Sequence, residues 1–264
     1  MNPPKLLDFS LNCVLKTASN YYRRCGHSWI LYWKLLSEVP LSLKSLLFQS
    51  LSRREMLCDE NIGFLINDQL ETICLYNCLK SDSTVNLIAD TCANVVHLNL
   101  GAKIPNLNYV YSNSLSDLFA KCVKLRSLNL DNCIYVNDYA IESLATNCEQ
   151  IEIIKLSGCL SLSDKSLKCL ADNCKSLKCL DVSRTPVSDD GLCYLANGVF
   201  VAVLNELLVN DCSLVSALSI RQISEKCKNL RIFSFRGTRA SLHNMFDVVL
   251  RRGHIVFDVP FNYV

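Results

Sequence analysis

The strongest constraint in this sequence is an apolar pattern that returns about every 26 residues. Leu125, Leu128, Leu130 and Cys133 stand at offsets of zero, three, five and eight. Ile151, Ile154, Leu156 and Cys159 repeat those offsets, as do Leu177, Leu180, Val182 and Thr185. Upstream the same spacing takes in Leu70, Ile73, Leu75 and Cys78, then Val95, Leu98 and Leu100. Downstream it takes in Leu204, Leu207, Val209 and Cys212, then Leu230, Phe233, Phe235 and Thr238. The seven starts are separated by 25, 30, 26, 26, 27 and 26 residues. A fixed period of this length marks a stacked array, because one unit cannot bury its apolar face alone and must lean on its neighbours. The one long spacing follows Leu100, so residues 102–108 are expected to form a looped insertion.

Within each unit the period changes. The first half alternates, as a short strand does. In the second half Ile141, Leu144, Ala145 and Cys148 stand at i, i+3, i+4 and i+7, on one face of a helix. The same set recurs as Val85, Ile88, Ala89, Cys92; as Leu115, Leu118, Phe119, Cys122; as Leu167, Leu170, Ala171, Cys174; and as Ile220, Ile223, Ser224, Cys227. Polar pairs precede several of these helices: Asn137 with Asp138, Ser163 with Asp164, Ser188 with Asp189. Their side chains are expected to accept hydrogen bonds from the first free N–H groups of the helix. Neighbouring strands sit ~4.8 Å apart, whereas packed helices need ~8–10 Å. The stack must therefore bend, with strands inside and helices outside. The expected fold is an α/β horseshoe solenoid with a parallel concave sheet and convex helices. It occupies residues 67–264, with about seven repeats, a final helix through Met245, Phe246 and Val249, and a closing strand from Ile255 to Val259. Residues 1–66 are expected to form an N-terminal helical cap.

The chain holds 16 cysteines, and a secreted disulfide scaffold would require a signal peptide. Residues 1–8 carry an early charge pattern and no long apolar core followed by small residues. The most apolar early run, from Trp29 to Trp33, is cut off by Lys34, Glu38 and Pro40, far short of a membrane span. Reduced thiols in the cytoplasm or nucleus are the expectation. Cys78, Cys133, Cys159 and Cys212 sit eight after a repeat start, and Cys92, Cys122, Cys148, Cys174 and Cys227 sit three before the next. A small buried hydrophobe with a weak S–H donor suits both places without metal or disulfide. Structural zinc wants two close ligand pairs; Cys74 with Cys78 and Cys169 with Cys174 lack matching partners, and there are only four histidines. Basic and acidic residues number 27 and 25, which leaves no electrostatic footprint for nucleic acid or an anionic membrane.

Written as Cys-x-x-Leu-x-x-Leu-x-Leu-x-x-Cys with an Asp opening the helix, the repeat resembles the cysteine-containing leucine-rich-repeat class, familiar from F-box substrate receptors of ubiquitin ligases. Over the whole chain the sequence is similar to the antagonist-of-mitotic-exit-network family, through residues 6–13, 156–164 and 187–192. The resemblance implies a non-enzymatic protein-binding regulator or adaptor in cell-cycle signalling. The alternative is a substrate-recognition subunit of a Skp–cullin–F-box ubiquitin ligase, which requires residues 39–66 to dock a Skp-type adaptor. Residues 39–51, with Val39, Pro40, Leu43, Leu47, Phe48 and Leu51, resemble the opening helix of an F-box. Against a full F-box, residues 59–66 read as a repeat helix through Ile62, Leu65 and Ile66. The other reading of this segment is a cap that shields the first repeat. Residues 4–24, with Leu7, Leu11, Val14 and Ala18 on one side, also suit packing onto the repeats.

In each strand the leucines point inward and the intervening residues face the concave side. Three rows result: Thr72, His97, Ser127, Ile153, Cys179, Glu206, Ile232; then Cys74, Asn99, Asn129, Lys155, Asp181, Leu208, Ser234; then Tyr76, Gly101, Asp131, Ser157, Ser183, Asn210, Arg236. Their mixture of apolar and polar side chains suits an irregular protein surface or peptide. The candidate contacts are Thr72, Tyr76, His97, Asn99, Asn129, Asp131, Ile153, Lys155, Asp181, Glu206, Leu208, Asn210, Ile232 and Arg236. His27, His97, His243 and His254 have no local motif partner, and no Gly-rich phosphate loop, G-x-S-x-G or H-E-x-x-H occurs. No catalytic residue, metal ligand or cofactor is expected. Replacing an inward strand leucine, as in Leu130→Ala or Leu156→Ala, should cost ~2–5 kcal/mol and loosen neighbouring repeats as well. A denaturant melt indistinguishable from the wild type would mean the repeat offsets are misplaced.

Overall fold

The computed structural model describes residues 40–105, 108–240 and 256–258. The described chain opens with helix α1 (Leu41–Arg53) and a 3-10 turn (Ile62–Phe64). Strands β1 (Thr72–Cys74) and β2 (Lys80–Ser81) precede α2 (Asp82–Thr91), and β3 (His97–Asn99) and β4 (Asn108–Tyr109) precede α3 (Ser112–Lys121). Then come β5 (Ser127–Asn129), α4 (Asp138–Asn147), β6 (Ile153–Lys155), α5 (Asp164–Asn173), β7 (Cys179–Asp181) and α6 (Asp189–Ala196). Finally β8 (Glu206–Leu208), α7 (Ala217–Lys226), β9 (Ile232–Ser234) and β10 (Val256–Asp258) complete the described chain. Eight strands form one parallel sheet, ordered β1, β3, β5, β6, β7, β8, β9, β10. The central residue of each repeat strand, from Ile73 through Leu128 and Ile154 to Phe233, is buried. Successive helices pack side by side behind the sheet. The expected final helix at Met245, Phe246 and Val249 and the amphipathic stretch 4–24 lie outside the described residues.

Two sequence expectations change. Residues 59–66 make one 3-10 turn rather than a repeat helix, although Ile62, Leu65 and Ile66 are all buried. The turn still packs against α2, beside Leu87. The segment after Leu100 is more than a loop: Ala102 is buried, and Asn108–Tyr109 pairs in parallel with Lys80–Ser81 in a second, two-stranded sheet. That pairing satisfies backbone groups a bare insertion would leave to water. At the front, α1 sets Leu47, Phe48 and Leu51 inward, and Ser52 Oγ donates to the Cys74 carbonyl on edge strand β1. Leu41 and Leu46 remain exposed.

Hydrogen bonds from coil to coil explain the recurrent polar residues. Cys92 Sγ donates to Asn67 O at 3.1 Å, Cys122 Sγ to Cys92 O at 3.4 Å and Cys148 Sγ to Cys122 O at 3.7 Å. Each thiol thus reaches the carbonyl at its own repeat position one coil earlier. The turn cysteines also reach back one coil, to the carbonyl three residues before their own repeat position: Cys133 Sγ donates to Leu100 O at 3.5 Å, Cys159 Sγ to Leu130 O at 3.1 Å and Cys212 Sγ to Val182 O at 3.2 Å. The second repeat has Lys103 where this cysteine should stand. There buried Lys80 takes over, its Nζ donating to Leu75 O at 3.0 Å and Cys78 O at 3.2 Å. Burial holds that ammonium below the usual lysine range.

The aspartates form a second ladder, and here the sequence reading needs a correction. Asn137, Ser163 and Ser188 are the N-caps, accepting from Tyr139 N, Lys165 N and Asp190 N. The adjoining Asp is the first helical residue and reaches forward to the next coil. Asp138 accepts from Ser163 N at 2.8 Å and Ser163 Oγ at 2.6 Å; Asp164 accepts from Ser188 N and Oγ at the same two distances. Gly191 stands where the other coils place Ser166 and Ser219, whose hydroxyls donate to Asp138 and Asp189; here Asp164 Oδ1 fills the space that a Cβ at Gly191 would take. Burial alone would raise the Asp138 carboxyl, but hydrogen bonds from Ser163 and Ser166 outweigh it and hold the group below the usual carboxylate range.

Burial pushes the thiols of Cys92, Cys148 and Cys174 up to about 12, whereas Cys193 lies exposed on α6. Among the described cysteines, alkylation of the native protein near pH ~8 should therefore label Cys193 first. Cys92, Cys148 and Cys174 should react only as fast as the coils open. Peptide mapping that found all four labelled together would overturn the thiol ladder.

Candidate protein-binding face

Three-residue strands leave one buried side chain and two that face the inner surface of the sheet. Pairing aligns the first row directly, Thr72 with His97, Ser127, Ile153, Cys179, Glu206 and Ile232. The second row aligns Cys74 with Asn99, Asn129, Lys155, Asp181, Leu208 and Ser234. Thr72, His97, Lys155 and Ile232 are exposed, and Asn99, Asn129, Ile153, Asp181, Glu206 and Leu208 are half-buried. Ser234 is buried.

The third row departs from the sequence reading. Gly101, Ser157 and Ser183 are buried, because this position lies past the strand, where the chain turns under the next coil. Tyr76, Asp131 and Asn210 are half-buried, and Arg236 is exposed. Residues seven after a repeat start mark that turn. Asn77, Asn132, Gly158, Arg184, Asp211 and Gly237 all have φ between 56° and 74°. Asn, Asp and Gly tolerate this left-handed conformation, whereas for Arg184 it is unfavourable. The Arg184 guanidinium donates to Ser157 Oγ at 3.1 Å, beside the inner face. Sequence reasoning missed this residue, although its departure from the Asn/Gly pattern was a usable signal.

Several of the polar candidates carry structural duties. Asn99 Oδ1 accepts from Gly101 N at 3.1 Å, Asn129 Oδ1 from Asp131 N at 2.8 Å, and Asp181 Oδ1 from Ser183 N at 2.9 Å. Asp131 Oδ1 accepts from Ser157 N at 3.0 Å. Asn210 Oδ1 takes both Ser234 Oγ at 2.6 Å and Arg236 N at 2.8 Å. These side chains turn one oxygen inward and leave only their other atoms to solvent. Burial, aided by the neighbouring Asp181 charge, pushes the Asp131 carboxyl up. Burial and the adjacent Glu206 do the same to the Cys179 thiol.

The front half of the face holds a shallow depression of about 270 Å³. Ile73, Leu98 and Leu128 form its floor; Thr72, Cys74, His97, Asn99, Ser127, Asn129 and Lys155 form its walls. Of the candidate contacts, Thr72, His97, Asn99, Asn129 and Lys155 therefore converge. Ile153, Asp181, Glu206, Leu208 and Ile232 continue the face rearward, and Tyr76, Asp131, Asn210 and Arg236 follow the strand-exit edge. Among the described residues no group of His, Cys, Asp and Glu is arranged to hold a metal. No helix among them is long and apolar enough to cross a membrane.

No family model matches the sequence. Among solved structures, an internalin C2 from Listeria monocytogenes superposes with a TM-score of 0.53 at 16% identity, covering 77% of this chain and 76% of that one. The fold is a leucine-rich-repeat solenoid. A second internalin from the same organism, InlF, aligns with a TM-score of 0.46 at 16% identity, over 72% of this chain; the chain spans 53% of that structure's length. At such identity the likeness concerns the fold alone.

Within the solenoid the inner-face residues separate into those that hold the coils and those that do not. Asn210→Ala leaves Ser234 and Arg236 N without their acceptor and should cost about 1–3 kcal/mol. Lys155→Ala removes an exposed side chain and should stay within about 0.5 kcal/mol. Equal losses for the two in urea unfolding would contradict this division.

Proposed function

We propose that the solenoid is a non-enzymatic interaction module whose concave face holds a segment of another protein. The observation that carries this reading is the composition of a rigid sheet surface. Ile232 is 38% exposed there, and Ile153, Leu208 and Tyr76 are half-buried, set among polar groups. Apolar side chains offered from strands, whose backbone is fixed by pairing on both sides, lose little entropy on binding. A partner would act in regulation or as an adaptor, in line with the family resemblance to cell-cycle regulators. The thiol ladders need S–H donors, which favours a reducing compartment, cytoplasm or nucleus.

A second reading has one observation in its favour. Helix α1 buries Leu47, Phe48 and Leu51 against the first coil yet leaves Leu41 and Leu46 exposed on the rest of its surface. That outer face is where a Skp-type adaptor would dock on residues 39–66 if the protein were a ubiquitin-ligase substrate receptor. Copurification of adaptor and cullin with the full chain, lost on Leu41→Asp with Leu46→Asp, is the expected result for that reading.

For the concave face the decisive variant is Ile153→Ala combined with Lys155→Glu. Neither side chain belongs to the core, so folding should hold while capture of the cellular partner weakens at least about tenfold. Matched changes on the convex helices, Glu142→Lys and Lys168→Glu, should leave capture intact. Loss with the convex pair and none with the concave pair would transfer the binding site to the outer face.

A further inference from the structure

We infer that Asn197 is a site of spontaneous deamidation, at which water replaces the side-chain amide and leaves a carboxylate facing Lys226. Asn197 is the only asparagine in the chain that is followed by glycine. Glycine has no side chain to crowd the approach of its own backbone nitrogen to the preceding Asn Cγ. Packing fixes that glycine. A Cβ on Gly198 would stand 3.0 Å from Ala171 Cα and 3.1 Å from Ala171 O, on the neighbouring helix α5. The same carbonyl accepts from Val199 N at 2.8 Å. The reactive pair is thus a consequence of how closely the end of α6 rests on α5. Asn197 itself is exposed, as the C-cap of α6.

The repeat itself shows what the product meets. Lys226 Nζ, at the end of α7, donates to Asn197 Oδ1. In an earlier coil the same two repeat positions hold a salt bridge, Lys121 Nζ to Asp90 Oδ1 at 2.6 Å. Asp90 and Asn197 each follow the alanine of a helical set, Val85, Ile88, Ala89 in α2 and Leu192, Leu195, Ala196 in α6. Lys121 and Lys226 each immediately precede a repeat cysteine, Cys122 and Cys227. An asparagine therefore stands where another coil has an aspartate opposite the same lysine, and deamidation completes the second copy of that pair. A carboxylate at the C-terminus of α6 would be opposed by the helix dipole, which the Lys226 ammonium offsets.

The step balances with water as the only co-reactant. Gly198 N bonds to Asn197 Cγ, the Cγ–Nδ2 bond breaks, and ammonia leaves with the Gly198 N proton, closing a cyclic imide. Water then opens the imide at Cγ, which restores the main chain with an aspartate, or at the α-carbonyl, which leaves an isoaspartate and a longer main chain. Gly198 N is tied to Leu195 O at 3.1 Å and Asn197 Nδ2 to Cys193 O at 2.7 Å. Both bonds lie in the last turn of α6 and release as that turn frays, so closure proceeds through local opening. The aspartate product keeps the fold, whereas the isoaspartate presses Gly198 toward Ala171, where no room remains.

Incubating the full chain in warm, mildly alkaline buffer and mapping its peptides by mass spectrometry tests the site. Asn197 should exchange its amide for a carboxyl at least about tenfold faster than exposed Asn86, Asn94 and Asn229, which are followed by Leu87, Val95 and Leu230. Asn197→Gln should abolish the fast phase of charge change in the intact protein. Asn197→Asp supplies the main-chain-preserving product directly. Followed by NMR, its new carboxyl should titrate lower than the same carboxyl in the double variant Asn197→Asp with Lys226→Gln, because an opposite charge nearby favours the ionised form. Deamidation of Asn197 no faster than at those three asparagines, or a fast phase that persists in Asn197→Gln, would overturn the site. A carboxyl that titrates alike with and without Lys226 would overturn the pairing.

Discussion

Stacking one coil on the next buries the turn between strand and helix, together with carbonyls and N–H groups that the coil cannot pair within itself. Each such group costs roughly as much as a lost hydrogen bond if left without a partner. The molecule meets that demand from the neighbouring coil. Thiols of Cys92, Cys122, Cys133, Cys148, Cys159 and Cys212 donate backwards to carbonyls, and carboxylates of Asp138, Asp164 and Asp189 accept from the N–H groups of the following coil. Both ladders run between coils, so they fix the stacking distance as well as satisfying polarity. Stability in such an array is a sum over coils and their interfaces, and these bonds belong to the interfaces.

Cysteine suits this position for a reason of size and donor strength. It occupies little more volume than serine yet is readily buried, and its weak S–H still reaches a carbonyl. Where the pattern breaks, at Lys103, the compensation comes from a different direction. Lys80 enters the core from β2 and places its ammonium against the carbonyls of Leu75 and Cys78. Its strand is the one joined by β4, so the insertion after Leu100 and the missing cysteine are met by the same piece of structure.

The inner face inherits the consequences. Asn99, Asn129, Asp131, Asp181 and Asn210 project toward the concave side, yet each gives an oxygen to a backbone N–H. What they present outward is the remainder, and for Asn99 that remainder is a donor. The depression over the front strands follows from small or short side chains there, among them Thr72, Cys74 and Ser127, against larger ones toward Leu208 and Ile232.

The offsets Leu125, Leu128, Leu130 and their recurrences determined by themselves the strand positions, the buried residue of each strand and the helical faces, because alternation and the 3.6-residue period are local properties of the backbone. They also located the cysteines at repeated, buried sites. Tertiary structure alone decided which partner each polar group takes. The reach of Asp138 to Ser163 and of Cys148 to the Cys122 carbonyl crosses about one whole repeat of sequence, and no local pattern encodes such a pair. It likewise decided that Ser157 and Ser183 are buried while Lys155 is open. The difference is geometric: a strand residue's facing follows from its own backbone, whereas a turn residue's burial depends on how closely the next coil comes to rest upon it.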